Sequence, residues 1–343
     1  MKTNIETIAV KTNHIFHMTD DTGMIQHSVY GVPNLATGYT SDDNARALIM
    51  AVRLYDGHRV KKAESLIYRY SSFLYHAQNA DGTFRNFMSY NREFLEKKGS
   101  EDCFGRCLWA LCYAYANSST PHNVKQTAWK LIEKALPNCL NIISPRAKAY
   151  VIIGLTYLNA EKTNGIILKL ADSMTNHYTH YKDGVWHWFE DSMTYCNATL
   201  PWAMLAAFSV TKIDRYQEIG LETLSFLESK TFRKGYFKPI GCKGWLNKGD
   251  EPAEFDEQPV EACETTLAYL EAFKLAGNKQ FLERAKLCFS WYLGTNSNGL
   301  VLIDSETGGC YDAITQDGLN LNQGAESVVS FWIAYLAMKK YDK

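Results

Sequence analysis

From residue 42 onward, the hydrophobic and polar positions form two kinds of helical segment that alternate along the chain. Segments of the first kind carry apolar or small residues on almost every face, which is typical of helices buried on all sides. Segments of the second kind carry charges along one face, which is typical of helices with one side in solvent. The six segments of the first kind span residues 45–55, 104–116, 147–158, 195–210, 260–275 and 325–338. The five segments of the second kind span residues 60–76, 124–136, 165–177, 216–227 and 279–293.

This alternation predicts an all-α fold, because strand-like patterns are almost absent outside short loop pieces. Each repeat has the length of a helical hairpin with its loops. Six buried helices that alternate with amphipathic ones can close into an (α/α)6 toroid, the six-hairpin barrel, with the buried set inside. The buried helices are predicted to begin near residues 42, 101, 146, 192, 258 and 323.

Two features of this prediction stay open in the sequence. The sixth outer helix either comes from the N-terminal segment or is missing. An open α-solenoid is the alternative architecture, although solenoid repeats are more regular in length. We expect a single domain over residues 1–343, in which residues 1–40 pack on the barrel mouth.

The predicted loops are asymmetric in length. Links from a buried helix to the next amphipathic helix are short, whereas several links in the other direction are long. Because all inner helices run the same way, the long loops collect at the rim where the inner helices begin. Long loops on a rigid scaffold commonly carry function, so we expect the site at this rim. The long links span residues 78–100, 178–191, 230–258 and 294–323.

Composition narrows the function classes. The chain has 36 basic and 37 acidic residues and no basic run, so we expect no nucleic-acid partner. No segment approaches eighteen apolar residues, and residues 1–10 lack the apolar stretch of a signal peptide, so we expect a cytoplasmic protein with no membrane partner. The sequence has no phosphate-binding glycine loop and no Gly-x-Ser-x-Gly motif, and we expect no cofactor.

The cysteines favour a structural role. Their number is nine, and most lie in helix-like apolar patterns where a reduced cysteine is a small hydrophobic residue. Cys103 and Cys107 are one helical turn apart, but no second pair of ligands follows them, so we predict no metal site.

Carboxylates recur at the predicted starts of the inner helices, and aromatic rings recur in the long loops. Helix capping is the alternative explanation for the acids, because acidic residues are favoured at any helix N-terminus. If capping were the whole explanation, acids would occur equally at the starts of inner and outer helices, yet three outer helices begin without an acid. Packing of the loops is the alternative explanation for the rings. We favour an acid-lined, aromatic cleft, whose candidate catalytic residues are Asp43, Asp102, Asp191 and Asp256.

Such a cleft suits glycoside hydrolysis. That reaction needs one protonated carboxyl group for the leaving oxygen and one ionised carboxylate that activates water or attacks the anomeric carbon. Crowded carboxylates supply both, because like charges raise one of the two pKa values. Arg46 and Arg106 lie one turn into two inner helices and would keep some of these acids ionised, unless they form structural ion pairs.

Five longer motifs stand out in the sequence: TDDTGMIQH at 19–27, GYTSDDNARA at 38–47, SEDCFGR at 100–106, FDEQP at 255–259 and NQGAES at 322–327. Together they resemble a poorly characterised bacterial family within the six-hairpin glycosidase superfamily. The resemblance implies an (α/α)6 barrel with its active site at the N-terminal ends of the inner helices. Family members occur alone or joined to glycosyltransferases, which implies a functional link to a glycosyltransferase. Inverting members are common on this barrel, so the resemblance favours an inverting mechanism.

The resemblance carries over positions and not roles. Glu261 and Glu326 lie about one turn deeper than the candidate acids and could hold sugar hydroxyl groups. The candidate contacts to an oligosaccharide or glycoside substrate are His27, Arg46, Arg106, Trp186, Tyr195, Trp245, Gln258, Glu261 and Glu326.

Three other functions compete with hydrolysis. A sugar 2-epimerase would use histidines as acid and base, and here only His27 and His187 fall near the predicted rim. A non-catalytic carbohydrate-binding partner of a glycosyltransferase would keep the aromatic rim without a proton donor. A polysaccharide lyase is disfavoured, because the acids at the rim would repel an acidic polymer.

Overall fold

The computed structural model describes residues 11–58, 60–158, 161–232 and 234–341, and their regular structure is mainly helical. A short first helix, α1, spans Asn13–His17. The inner helices are α2 (Ser41–His58), α4 (Glu101–Ala116), α6 (Pro145–Thr156), α8 (Thr199–Thr211), α10 (Pro259–Ala276) and α12 (Ala325–Met338). The outer helices are α3 (Ala63–Ala77), α5 (His122–Ala135), α7 (Glu161–Tyr181), α9 (Asp214–Thr231) and α11 (Lys279–Ser290).

The six inner helices form a closed ring. Each one contacts the next along the chain, and α12 contacts α2. The ring confirms the predicted (α/α)6 toroid over the open solenoid. Two glycines allow α4 and α6 to approach each other closely. A Cβ atom at Gly105 of α4 would lie 2.8 Å from the Ala147 carbonyl oxygen, and a Cβ atom at Gly154 of α6 would lie 2.7 Å from the Trp109 Cα. Larger side chains at these two glycines would push α4 and α6 apart.

The outer helices bury one face only. In α5 the buried residues are Val124, Ala128, Leu131, Ile132 and Ala135, a spacing that places them on one side of the helix. No sixth outer helix of comparable length occurs in the part of the chain that the structure describes. The N-terminal segment instead contributes α1, and residues 1–10 lie outside the described residues. No helix in the described ranges is long and apolar enough to cross a membrane.

The predicted start of the fourth inner helix, near residue 192, is wrong. Helix α8 begins at Thr199, because Ser192–Met193 form a short strand that pairs antiparallel with Leu246–Asn247. Cys196 then adopts a positive φ of 50°, which a right-handed helix does not accommodate. The apolar residues just before Thr199 therefore belong to a strand and a turn and not to the helix.

Short antiparallel ribbons tie the long loops to one another at the rim where the inner helices begin, and these loops lie at the rim that the sequence predicts. Tyr39–Thr40 pairs with Phe87–Met88, so the lead-in to α2 is joined to the loop before α4. Glu257, just before α10, pairs with Ile314 in the loop before α12. The other two ribbons are hairpins, which join Ser28–Val29 to Val32–Pro33 and Ala313–Thr315 to Gly318–Asn320.

Candidate active site

A cleft of about 340 Å³ opens at the mouth of the barrel, above the N-terminal ends of α2 and α12. The lead-in to α2 and the long loops before α4, α10 and α12 contribute its walls. Six of the residues predicted from the sequence line this cleft: His27, Asp43, Arg46, Asp256, Gln258 and Glu326.

The guanidinium group of Arg46 joins two carboxylates at the floor of the cleft. It lies one turn into α2, where Nη2 is 2.6 Å from Asp43 Oδ1 and Nη1 is 2.9 Å from Glu326 Oε2. Arg46 and Asp43 are almost fully buried, whereas 42% of the Glu326 side chain is exposed. One cation therefore contacts two carboxyl groups, and one of them, Glu326, faces solvent in the cleft.

Asp43 has the properties of a proton donor. Its side chain is only 6% exposed, and Thr40 donates a hydrogen bond of 2.6 Å to its Oδ2. Burial raises its pKa to about 7, and the negative charges of Asp42 and Glu326 act in the same direction while Arg46 opposes them. A carboxyl group in this state holds its proton near neutral pH and can still release it.

Asp42 directly precedes Asp43 in the sequence, but its pKa is shifted in the opposite direction. Burial acts to raise its pKa, but Arg106 and Arg46 outweigh that effect and hold the pKa below its usual value. Arg106 Nη1 lies 2.9 Å from Asp42 Oδ2. Neighbouring carboxyl groups whose pKa values are shifted in opposite directions are found at many acid–base catalytic sites.

Asp256 reaches the cleft from the loop before α10. Its Oδ1 is 3.2 Å from the Nζ atom of Lys243, whose side chain is largely exposed. Gln258 follows two residues later, also in the wall of the cleft. Asp43 and Asp256 are thus the two candidate catalytic residues that the structure brings to one cleft.

Asp312, which is not among the residues predicted from the sequence, also lines the cleft. It accepts hydrogen bonds of 2.7 Å from the Gly324 amide and from the Ser327 hydroxyl group. Burial raises its pKa. Asn86 and Phe87 also line the cleft. The only sequence feature that indicates Phe87 as a site residue is the position of this aromatic ring in a long loop.

Asp102, Tyr195 and Trp245 form a second group on the other side of the mouth. The Tyr195 hydroxyl group donates a 2.7 Å hydrogen bond to Asp102 Oδ2, and the Trp245 ring meets the Tyr195 ring edge-on at 6.0 Å between centroids. Arg146 places its guanidinium group 4.8 Å from the Tyr195 ring centre. Arg106 connects the two sides, because its Nη2 lies 3.3 Å from Cys196 Sγ while Nη1 binds Asp42.

Like Asp102, Arg106, Tyr195 and Trp245, three other predicted residues do not line the cleft. Glu261 is buried in the first turn of α10, where it accepts hydrogen bonds from the amides of Cys196 and Asn197, and burial together with Glu264 raises its pKa to about 7. Trp186 is buried and donates its indole N–H to the Glu190 carbonyl oxygen at 2.7 Å. Asp191 is exposed, and it lies eight residues before α8 because that helix begins later than predicted.

The described residues hold no group of three or more His, Cys, Asp or Glu side chains that could bind a metal ion. Cys103 and Cys107 are both buried and free, with 4.0 Å between their sulfur atoms.

Comparison with solved structures shows what the architecture is similar to. No family model and no curated protein sequence matches this chain. A sugar epimerase from a ruminal bacterium aligns over 98% of this chain and 96% of its own, with a TM-score of 0.72 and 14% identity. This similarity shows the fold, an (α/α)6 toroid.

Other solved structures also align over most of the chain. The cellobiose 2-epimerase from Bacillus thermoamylovorans has a TM-score of 0.74 and 12% identity, and it covers 98% of this chain and 97% of its own. An α-mannanase from Bacteroides thetaiotaomicron has a TM-score of 0.62 and 11% identity, and it covers 89% of this chain and 87% of its own. At these identities the likeness concerns the fold, and the choice of reaction depends on the residues in the cleft.

Proposed function

We propose that this protein is a glycoside hydrolase that cleaves an oligosaccharide or glycoside bound in the cleft between α2 and α12. The observation that carries the proposal is the pairing in one cleft of Asp43, a buried carboxyl group with a pKa of about 7, and Asp256, a carboxylate from a different loop. The similar structures include enzymes that act on carbohydrates, which supports a sugar as the substrate.

In this mechanism, Asp43 gives its proton to the glycosidic oxygen as the bond between that oxygen and the anomeric carbon breaks. Asp256 takes a proton from a water molecule, which attacks the anomeric carbon from the opposite face. The products are a free hydroxyl group on the leaving sugar and a hemiacetal of inverted configuration. Solvent then returns the proton from Asp256 to Asp43, so the enzyme regains its starting state.

The remaining residues of the cleft would bind and orient the sugar. The Glu326 carboxylate is partly exposed and accepts hydrogen bonds, which suits contact with sugar hydroxyl groups. Gln258 and His27 offer further polar contacts in the wall. Arg46 would hold Asp43 and Glu326 in place and would limit how far the pKa of Asp43 rises.

The direct test is a screen of mannosides, glucosides and galactosides of defined length, with products analysed for chain length and anomer. We expect shorter products whose first-formed anomer is inverted. Asp43→Asn and Asp256→Asn should each abolish turnover while the protein stays folded. Normal turnover by both variants would refute the assignment of these two residues.

A sugar 2-epimerase is the second candidate, because the epimerase structures have higher TM-scores to this chain than the α-mannanase has. Epimerisation at C2 removes a proton from one face of the sugar and returns one to the other face, which calls for two acid–base groups. His27 is the one histidine among the described residues that lines the cleft. The same screen separates the two functions, since an epimerase would yield a new C2 epimer with no change in chain length.

A further inference from the structure

The segment that carries Asp256 into the cleft alternates between two faces. Asp256 and Gln258 line the cleft, whereas the side chain of Glu257 between them is fully buried. The segment opposite repeats this pattern, because Ala313 lines the cleft and Ile314 is fully buried. The backbones of Glu257 and Ile314 exchange hydrogen bonds of 2.9 and 3.0 Å. Successive side chains of an extended segment point to opposite faces, so a group that holds Glu257 also restrains Asp256.

The Glu257 carboxylate binds two buried side chains from other parts of the chain. Lys238 is only 1% exposed, and its Nζ atom lies 3.3 Å from Glu257 Oε1. Trp291, which directly follows α11, donates its indole N–H to Glu257 Oε2 at 2.7 Å. Lys238 Nζ also donates a 3.0 Å hydrogen bond to Ser297 Oγ. Both oxygens of the Glu257 carboxylate therefore bind groups of the fold that lie outside the cleft.

Lys238 also contacts the residues that precede Asp256. Its Nζ atom lies 2.8 Å from Glu254 Oε2 and 4.4 Å from the centre of the Phe255 ring. Lys238 is itself anchored, because its amide donates a 2.7 Å hydrogen bond to the carbonyl oxygen of Thr231, the last residue of α9. One buried cation thus binds the segment on both sides of Asp256.

A buried ion pair is a poor source of net stability. Taking two charges out of water costs about as much free energy as their attraction returns, and apolar side chains of similar volume often serve as well. Apolar contacts are non-directional, whereas charged hydrogen bonds fix the distance and direction of their partners. What the pair of Lys238 and Glu257 can add to apolar packing is a fixed orientation of the segment.

We propose that Lys238 and Glu257 are positioning residues, which hold Asp256 where it can take a proton from the attacking water. The proposal rests on the proposed function, because it takes Asp256 as the base of the hydrolysis. Lys238 and Glu257 do not line the cleft, so they act on the reaction only through Asp256. A displacement of about 1 Å at a reacting group can cost about 10²-fold in rate, so such a restraint matters for catalysis.

Cys242 provides a reporter of the position of this segment. Its amide donates a 3.0 Å hydrogen bond to the Asp256 carbonyl oxygen, and the Lys243 amide donates one of 3.0 Å to the Phe255 carbonyl oxygen. Cys242 is partly exposed in the wall of the cleft, whereas the other cysteines are buried. The disulfide reagent DTNB should therefore react first with Cys242 in the folded protein, and faster when the segment leaves its place.

The test compares Lys238→Met, Glu257→Gln and the double variant with a matched control, Glu228→Gln. Glu228 likewise binds a cation and an aromatic side chain, Arg284 at 2.6 Å and the Tyr269 hydroxyl group at 2.7 Å, but it does so outside the cleft. The measurements are kcat and KM on the best glycoside of the substrate screen and the rate at which DTNB modifies Cys242. Circular dichroism and the unfolding temperature verify that each protein is folded.

We expect Lys238→Met to lower kcat about 10²-fold and to raise the rate of Cys242 modification at least tenfold. KM should change less than kcat, because neither residue of the pair touches the substrate. The double variant should lose less kcat than Lys238→Met, because it leaves no buried carboxylate unpaired. Glu228→Gln should match the wild type within about twofold in both measurements. If Lys238→Met does not fold, Glu257→Gln and the double variant decide, since both keep the size of the side chains.

Several results would overturn the proposal. One is wild-type kcat and wild-type reactivity of Cys242 in the folded variants of the pair, because Lys238 and Glu257 would then serve the fold alone. Another is an equal effect in Glu228→Gln, which would indicate general loosening of the barrel. A fall in kcat without faster modification of Cys242 would also contradict it, since the segment would not have moved.

The reactivity of Cys242 separates this proposal from the proposed function. If no glycoside is hydrolysed by the wild type, or if Asp256→Asn retains normal turnover, the assignment of Asp256 as the base fails. Faster modification of Cys242 in the variants of the pair and not in Glu228→Gln would still support their hold on the segment that carries Asp256. Unchanged modification would refute that hold as well.

Discussion

On the side of the mouth formed by α2 and α12, Asp43 and Glu326 share the guanidinium group of Arg46 in an open cleft. On the side formed by α4 and α6, Glu101 and Asp102 are bound to neutral groups of the fold. Glu101 accepts hydrogen bonds from the amides of Ile143 and Ser144 at 2.9 and 2.7 Å. Asp102 accepts them from the side chains of Ser144 and Tyr195 at 3.0 and 2.7 Å.

The difference shows that one sequence feature, an acid at the start of an inner helix, serves two purposes. Glu101, at the start of α4, accepts a hydrogen bond from a backbone amide at the start of α6. It therefore caps a neighbouring helix and joins the two helix starts. Asp43 instead lies among other charges, and burial with nearby acids raises its pKa. Local sequence is similar at the two positions, so the neighbours from distant parts of the chain make the difference.

The largest expected effect that tests this comparison is the loss of turnover in Asp43→Asn. Asparagine keeps the shape of the side chain but cannot donate the carboxyl proton, and a positioned general acid contributes about 10²- to 10⁴-fold to the rate. Asp102→Asn is the matched control from the other side of the mouth, and we expect it to change kcat by less than about tenfold. The measurement is kcat on the best substrate, with circular dichroism to verify the fold. Equal losses of kcat in both variants would show that the two sides of the mouth do not differ in their role in catalysis.

The pH dependence provides the next test. A general acid must be protonated, so activity should be full below the pKa of Asp43, about 7, and should fall as the pH rises through it. The negative charge of Glu326 raises this pKa, so Glu326→Gln should move the alkaline limb of the kcat/KM profile to lower pH. Asp102→Asn should leave the limb in place. A limb that stays fixed in Glu326→Gln would show that another group controls it.

The fold could be predicted from the sequence to a large extent. Helices such as α12 are apolar on nearly every face, and their repetition specifies a ring of inner helices. The start of α8 could not be located in this way, because Met193, Cys196 and Ala198 are buried in a strand and a turn. Hydrophobic periodicity does not separate such short extended pieces from the first turn of a buried helix.

The sequence indicates the type of site, an acid-lined cleft, but it does not indicate which of the acids line that cleft. The acids at the inner-helix starts and the long loops predict a cleft at the rim where the inner helices begin, and the cleft that contains Asp43 lies at that rim. Which acids share a cleft depends on contacts such as Arg46 with Glu326, which are 280 residues apart in the chain. No spacing rule links such residues, so the sequence does not indicate that Asp312 lines the cleft or that Asp191 does not.

A smaller effect is expected from Tyr195→Ala. The ring of Tyr195 is partly exposed beside Trp245, on the side of the mouth where the acids are bound to neutral groups. If a long substrate extends across the mouth, removal of the ring should raise KM for that substrate about tenfold and leave kcat unchanged. A disaccharide that fills only the cleft should show no change in KM. A fall in kcat on the disaccharide would mean that the side with Asp102 takes part in the chemistry.

The smallest effect on activity is expected from Glu101→Ala, whose effect on stability should be measurable. The substitution leaves the amides of Ile143 and Ser144 without their acceptor, which should lower the free energy of unfolding by about 1 to 2 kcal/mol. Urea denaturation measures this change, and Glu283→Ala, which removes an exposed ion pair with Lys286 on α11, is the control with little expected loss. Because Glu101 lies outside the cleft and fastens α6 to α4, kcat and KM at 25 °C should match those of the wild type. A large loss of activity in a folded Glu101→Ala protein would show that the two sides of the mouth are coupled through α4, whose Arg106 binds Asp42.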